Sequence, residues 1–283
     1  MPRKMATQLF EGKEHASLYQ KYRLPPPDEI LKLIFSYLEE KKGKPFGLAV
    51  DIGCGTGQST RALAPHFERV VGTDISKAQI EEAKQASCTA NTSYCVCPAE
   101  ELPFEDGSVD LITAAAAAHW FNIEKFLKEA NRILKPNGCM ALYSYHAYME
   151  VHYKDCSEML TANFTEYLDS LTKYTSKHTE TVHSEYEEIF NAIPYPDKQR
   201  ITKMVHKLRM PVANLMGLLQ SFSMFQTFLQ IDPQAAKQLL QKTEQRVWNN
   251  TLYSVPPDAA LGETLSVLED RMENLYAFLE FVE

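Results

Sequence analysis

A layered α/β chain, with a parallel sheet covered by helices, is what the middle of this sequence predicts, and three observations predict it. From residue 48 onward short apolar runs alternate with amphipathic segments. The first run opens into a loop with glycine at every second position, 53, 55 and 57. The second run ends on an acid, Asp74, 23 residues after Asp51 (74 − 51).

The runs expected as strands are 48–52, 69–74, 92–97, 109–115 and 139–145. Before them, Pro25-Pro26-Pro27 breaks the chain, and Asp28 is placed to cap a helix built on Ile30, Leu31, Ile34 and Leu38. Ser76 and Gln79 have the spacing of a capping box, and Asn122 precedes an apolar stripe of Phe126, Leu127, Ala130 and Ile133. Lys135-Pro136-Asn137-Gly138 ends that helix, with Gly138 expected to supply positive φ. Beyond residue 145 the alternation is lost and 155–248 reads as mostly helical, the Met- and aromatic-rich stretch 215–229 as a buried helix face. Residues 264–282 fit helical and strand spacing equally well.

Composition narrows the function classes. With 283 residues the chain holds one large domain or two small ones at roughly 150 residues per domain. A net charge of −8 argues against a nucleic-acid partner. The longest apolar stretch, 111–118, is far short of the ~20 residues of a spanning helix, and residues 1–8 lack the apolar core of a secretory signal, so a cytoplasmic protein without a membrane partner is expected. Six cysteines (Cys54, Cys88, Cys95, Cys97, Cys139, Cys156) are too sparse for a disulfide scaffold and read as free thiols; no metal site is expected.

The chemistry concentrates in the loop Asp51-Ile-Gly-Cys-Gly-Thr-Gly-Gln58. Without side chains at Gly53, Gly55 and Gly57, a ligand can touch backbone, and the helix after them presents unpaired amides to an anion. Asp74 stands where a nucleotide fold places the carboxylate that binds ribose hydroxyls. A dinucleotide fingerprint wants glycine three positions after Gly55, where this chain has Gln58, which weakens a nicotinamide-dependent dehydrogenase.

Together with Ala99-Glu100-Glu-Leu-Pro-Phe104, Asp106-Gly-Ser-Val-Asp-Leu111, His119-Trp120-Phe121 and Leu134-Lys-Pro-Asn-Gly138, the loop resembles the class I S-adenosylmethionine-dependent methyltransferases over residues 48–145. The His-Trp-Phe triplet with Tyr19, Tyr22 and Arg23 resembles their trans-aconitate methyltransferase-like branch. The resemblance implies a Rossmann-like, doubly wound sheet of seven strands, with the last two inside 201–210 and 265–282. It further implies an N-terminal helical lid (1–45), a cofactor-binding core (46–150), and a helical insertion or lid plus closing strands (151–283).

It also implies the ligands. S-adenosylmethionine, leaving as S-adenosylhomocysteine, would have its methionine end on Gly53, Gly55, Gly57 and Gln58, with Ala115 and Ala116 near the amino group. Its ribose would meet Asp74, and its adenine Ile75, Ala99 and Glu100. Asp51 is expected either to touch the cofactor or to hold the loop by accepting its amides. His119 is the candidate catalytic residue, as base or as hydrogen-bonding wall, while Tyr19, Tyr22, Arg23 and Trp120 are candidates for the acceptor pocket, Arg23 suiting an anion. No Asn-Pro-Pro-aromatic segment follows the fourth strand, which disfavours DNA bases and glutamine as acceptors, and no carboxylate cluster offers a magnesium site. A small-molecule acceptor (carboxylate, thiol or hydroxyl) is expected; a catalytically silent cofactor-binding regulator is the alternative, and oligomeric state has no motif.

Overall fold

The computed structural model describes residues 10–252 except 87, 88, 146, 180, 181, 183 and 205, together with the strand 275–281. Helices α1 (Lys13–Tyr22) and α2 (Asp28–Lys41) precede an alternating core: β1 (Leu48–Ile52), α3 (Gln58–Leu63), β2 (Arg69–Asp74), α4 (Lys77–Ala86), β3 (Thr92–Val96), β4 (Val109–Ala115), α5 (Ile123–Ile133) and β5 (Leu134–Tyr145). Then come α6 (Ser157–Leu171), α7 (Glu187–Ala192), β6 (Lys198–Met204), α8 (Val212–Ser221), α9 (Ser223–Ile231), α10 (Pro233–Leu252) and β7 (Leu275–Phe281). The order across the sheet is β3-β2-β1-β4-β5-β7-β6; β1 to β5 pair in parallel and β7 runs antiparallel between β5 and β6. This is a Rossmann-like α/β fold with five parallel strands.

Adjacent strand residues point to opposite faces, so one apolar run supplies two cores. Val50, Ile112, Met140 and Leu142 pack on one side against Phe126, Ala130 and Ile133 of α5. Ala49, Leu111, Cys139 and Ala141 pack on the other against Ile30, Ile34 and Leu38, an i, i+4 stripe on α2. A separate core forms where Leu160, Phe164, Leu168 and Leu171 of α6 meet Leu215, Leu219, Phe225 and Phe228. Stretch 215–229 is therefore largely buried, but as two helices that break at the extended residue Phe222.

Several local expectations change. Asp28 is the first residue of α2 rather than its cap; Pro27 takes that place, with no side-chain cap bond. Strand β3 stops at Val96, one residue early. Strand β5 starts at Leu134, five residues early, because Leu134 already pairs with Val109 before the register shift that leads to Leu111 and Cys139. Within that bulge the positive φ (62°) belongs to Asn137, not Gly138. Gly138 is needed for space instead, since a Cβ there would lie 2.8 Å from the Lys135 carbonyl.

Helix α1 lies on α8. His15 Nε2 and the Ser221 carbonyl are 3.0 Å apart, and a Cβ on Gly217 would fall 2.4 Å from the Tyr22 ring. At the opposite end of β1, Asp110 accepts from Gly47 N (2.9 Å), Leu48 N (2.8 Å) and Lys135 Nζ (2.9 Å) and pairs with Lys42, fixing the entry to the sheet. Among the described residues no helix is long and apolar enough to cross a membrane.

Candidate cofactor and acceptor site

The carboxyl ends of β1, β2 and β4 open onto a cleft of about 500 Å³, within the range of small-molecule sites. Gly53, Gly55 and Gly57 all have positive φ (68°, 54° and 83°). At Gly53 the requirement is also steric: a Cβ would stand 2.5 Å from that of Ala117. The helix that follows, α3, has only six residues, so the loop amides rather than a long helix dipole face the cleft.

Asp74 sits on the cleft wall and ties the loop to its own strand. Its Oδ2 accepts from Gly55 N (2.9 Å) and its Oδ1 from Ser76 N (2.8 Å). Burial pushes this carboxyl above the ordinary range, and the amide bonds oppose that push. Each oxygen keeps a lone pair for a further donor.

Asp51 turns away from the cleft. It is fully buried and accepts from Thr60 Oγ1 (2.6 Å) and Thr113 Oγ1 (2.8 Å), and burial lifts its pKa to about 6. The expectation that it holds loop amides is thus corrected: that bond belongs to Asp74, and Asp51 braces α3 and β4 through hydroxyls.

Ile75, Ala99, Glu100, Ala115, Ala116, Tyr19 and Trp120 line the same cleft as Gly53, Gly55 and Asp74. Ile75 is 43% exposed there, an apolar face free to take a flat ring. Gly57 and Asp51 are not on the cleft wall. Gln58 lines a smaller pocket of about 70 Å³ with Gly53, Ala115, Ala116, Tyr19 and Arg23, where its Oε1 accepts from Thr56 Oγ1 (2.7 Å).

Sequence reasoning missed Gln79 and Phe10. Gln79 N donates to Ser76 Oγ (3.3 Å), as a capping box requires, but its side chain does not reach back. It is 2% exposed, lines the cleft, and neither its Oε1 nor its Nε2 has a hydrogen-bond partner. The capping signal concealed this second role. Phe10, packed edge-on to Trp120 at 5.9 Å, closes the cleft from the N-terminal side, and no motif marks it.

A further chamber of about 200 Å³ adjoins the cleft through Phe10, Tyr19, Ala116 and Trp120. It holds Arg23 and His119. Arg23 donates from Nε to Ser221 Oγ (2.9 Å), from Nη2 to the Ser221 carbonyl (3.3 Å) and from Nη1 to Tyr145 Oη, and it stacks 4.8 Å from the rings of Tyr19 and Phe222. Among the described residues it forms no salt bridge: its hydrogen-bond partners are neutral oxygens. Tyr22 lies outside these cavities, its ring spent on Gly217.

His119 Nδ1 is 2.7 Å from Tyr186 Oη. Burial, with His178 adding to it, lowers the pKa of its imidazolium to about 3, so the ring is neutral at physiological pH. Burial likewise pushes the Tyr19 phenol up to about 12. Among the described residues no aspartate, glutamate or lysine lines this chamber.

Ala116 borders all three cavities with φ 48°, a left-handed conformation that costs a non-glycine residue about 1 kcal/mol or more. A loop of backbone amides, a carboxylate with spare lone pairs, an orphaned buried amide and an apolar ring seat define a nucleotide-cofactor site at the carboxyl edge of an α/β sheet.

A methyltransferase-domain model matches residues 50–142. A Dictyostelium discoideum protein named as a methyltransferase is 32% identical over 213 residues, 75% of this chain and 76% of the relative. The chain belongs to the class I S-adenosylmethionine-dependent methyltransferases, and S-adenosylmethionine is its cofactor. In fold it is similar to a protein of Anaeromyxobacter dehalogenans described as a type II methyltransferase (TM-score 0.60, 23% identity, 91% of this chain and 96% of that one). It is also similar to phosphoethanolamine N-methyltransferase 2 of Haemonchus contortus solved with S-adenosyl-L-methionine (TM-score 0.51, 18% identity, 99% of this chain and 60% of that one).

Proposed function

We propose that this protein methylates a carboxylate of a small organic acid, the acceptor type of the trans-aconitate methyltransferase-like branch, releasing a methyl ester and S-adenosylhomocysteine. The observation that carries the reading is Arg23, a guanidinium bordering the acceptor chamber with no carboxylate partner among the described residues. Its fork fits an acid's oxygens, and Ser221, Tyr145 and two aromatic faces hold it in place.

S-adenosylmethionine supplies an activated methyl group that an oxygen nucleophile takes by in-line displacement. In the cleft, Asp74 and Gln79 would hold the ribose, Ile75 with the Ala99-Glu100 segment would seat the adenine, and the backbone at Gly53 and Gly55 with Ala115 and Ala116 would take the methionine end. Helix α1 and the helices after β5 act as a lid over the chamber, and Phe10, Tyr19 and Trp120 exclude water where cleft and chamber meet.

Among its described residues the chamber supplies no strong base. A carboxylate acceptor needs none, being ionised already, whereas a hydroxyl or ammonium acceptor does. His119, neutral and fixed by Tyr186, serves as a hydrogen-bonding wall that orients the acid.

The test is turnover with a panel of small mono-, di- and tricarboxylic acids, with ester formation followed by mass spectrometry. Arg23→Met should lower kcat/KM for the preferred acid by about 10- to 150-fold, the worth of a charge-assisted hydrogen bond, and leave cofactor affinity unchanged. Equal turnover of neutral amide analogues by the wild type would overturn the reading. Tight cofactor binding without turnover of any acceptor would favour a silent regulator.

A further inference from the structure

Cys95 and Cys97 occupy the last turn of the edge strand β3 and the position after it, separated only by the exposed Val96. Alternation along the strand puts both thiols on one side, and their sulfurs are 4.0 Å apart. Cys97 lines the cofactor cleft, and its amide donates to the carbonyl of Asp74 (3.1 Å), the residue whose side chain holds the glycine loop. Pro98, Ala99 and Glu100, the adenine wall of the proposed site, follow directly.

We propose that Cys95 and Cys97 form a peroxide-oxidisable dithiol in the wall of this cleft, and that its disulfide form weakens cofactor binding.

The two sulfurs have different surroundings. The contact with Cys97 lowers the Cys95 thiol, and Lys84 and Arg69 nearby lower it further. The same contact, together with burial, raises the Cys97 thiol. Cys95 is thus the nucleophile and Cys97 the resolving thiol, the arrangement of redox-sensitive cysteines. Buried Cys54, whose thiol burial pushes up, is an internal contrast.

The chemistry balances with hydrogen peroxide as oxidant. The Cys95 thiolate attacks one peroxide oxygen, the O–O bond breaks, and the departing hydroxide takes a proton to leave as water, giving a sulfenic acid. Cys97 then attacks the Cys95 sulfur, the S–O bond breaks, and a second water leaves with the Cys97 proton. Two electrons pass from the two sulfurs to the peroxide.

Closing the sulfurs from 4.0 Å to ~2.05 Å takes up about 2 Å between side chains two positions apart and so distorts the backbone at the end of β3. An outermost strand yields to this because no other described strand pairs with its outer side. The displacement passes through the Cys97–Asp74 bond and through Pro98 into the cleft. A ring closed between residues i and i+2 is strained, which makes the bond easy to reduce and the change reversible.

The effect on the cofactor rests on the proposed site, and the experiment separates the two. The full-length protein is treated with hydrogen peroxide and the peptide carrying residues 95–97 is examined by mass spectrometry. The expected product is lighter by two hydrogen atoms and is restored by dithiothreitol. In Cys97→Ser, dimedone should trap a sulfenic acid on Cys95; Cys95→Ser should show neither product and should bind cofactor like the wild type. By calorimetry, oxidised wild type should bind S-adenosylmethionine roughly tenfold more weakly, about the loss of one good hydrogen bond. Absence of the linkage, or first trapping at another cysteine, overturns the dithiol. Linkage with unchanged affinity overturns its coupling to the cleft. Reduced protein that fails to bind cofactor overturns the site reading, while the mass measurement still decides the dithiol.

Discussion

Replacing Asp74 by asparagine keeps the side chain's shape and reverses the hydrogen-bonding sense of one of its two oxygens. In the native protein Oδ1 takes Ser76 N at 2.8 Å and Oδ2 takes Gly55 N at 2.9 Å. If the asparagine oxygen keeps Ser76, its nitrogen confronts the Gly55 N–H, donor against donor. One charge-assisted bond to the loop is lost, and so is one acceptor for a ribose hydroxyl, each worth about 1.5–3 kcal/mol. The loop loss is felt without ligand and appears as a lower Tm of the free protein. The ribose loss appears only on binding, as a rise of about 10- to 150-fold in the Kd for S-adenosylmethionine. Calorimetry with the cofactor and with S-adenosylhomocysteine, beside thermal unfolding of the free protein, reads the two parts separately. A variant with lowered Tm and native affinity for both compounds would refute the ribose assignment.

Three other outcomes are expected. Gly53→Ala forces a side chain into positive φ and to within 2.5 Å of the Ala117 Cβ, so unfolding experiments should show a loss of about 2–5 kcal/mol. Burial raises Asp51 from 3.8 to about 6, so the folded state holds its proton more tightly. That contribution is full below 3.8, is lost as pH rises through 6, and amounts to about 3 kcal/mol at ~1.36 kcal/mol per pKa unit. Denaturation of Asp51→Asn across this range should therefore give a stability curve that falls less than the wild type's; parallel curves would refute it. With its pKa near 3, His119 should contribute no limb to kcat/KM around pH 6.5, and a limb there that vanishes in His119→Asn would show that it titrates in catalysis.

β1 and β2 were legible because each is an apolar run largely buried and stopped by glycine or an acid, and β4 because it is buried almost throughout, features that act locally. Asp74 and the glycine loop were legible because strand-to-helix turns constrain backbone over a few residues. What escaped depended on distant partners. Arg23 was legible as a pocket candidate, but not its pose, which Ser221 and Phe222 set about two hundred positions later. His119 reads as a neutral-range titrating group until Tyr186 and the surrounding core bury it. Tyr22 reads as a pocket aromatic until Gly217 receives its ring. The start of β5 was hidden because a proline and a glycine there form a bulge rather than a break.

The walls of the acceptor chamber come largely from the flanks of the chain: Tyr19 and Arg23 on one side of the alternating core, Phe222 and Met224 on the other. None of these four residues belongs to a parallel strand. Selection can therefore redraw which molecule is admitted by editing the two flanks, and the nucleotide-holding centre survives each revision intact. A lineage built this way diversifies its products faster than its scaffold.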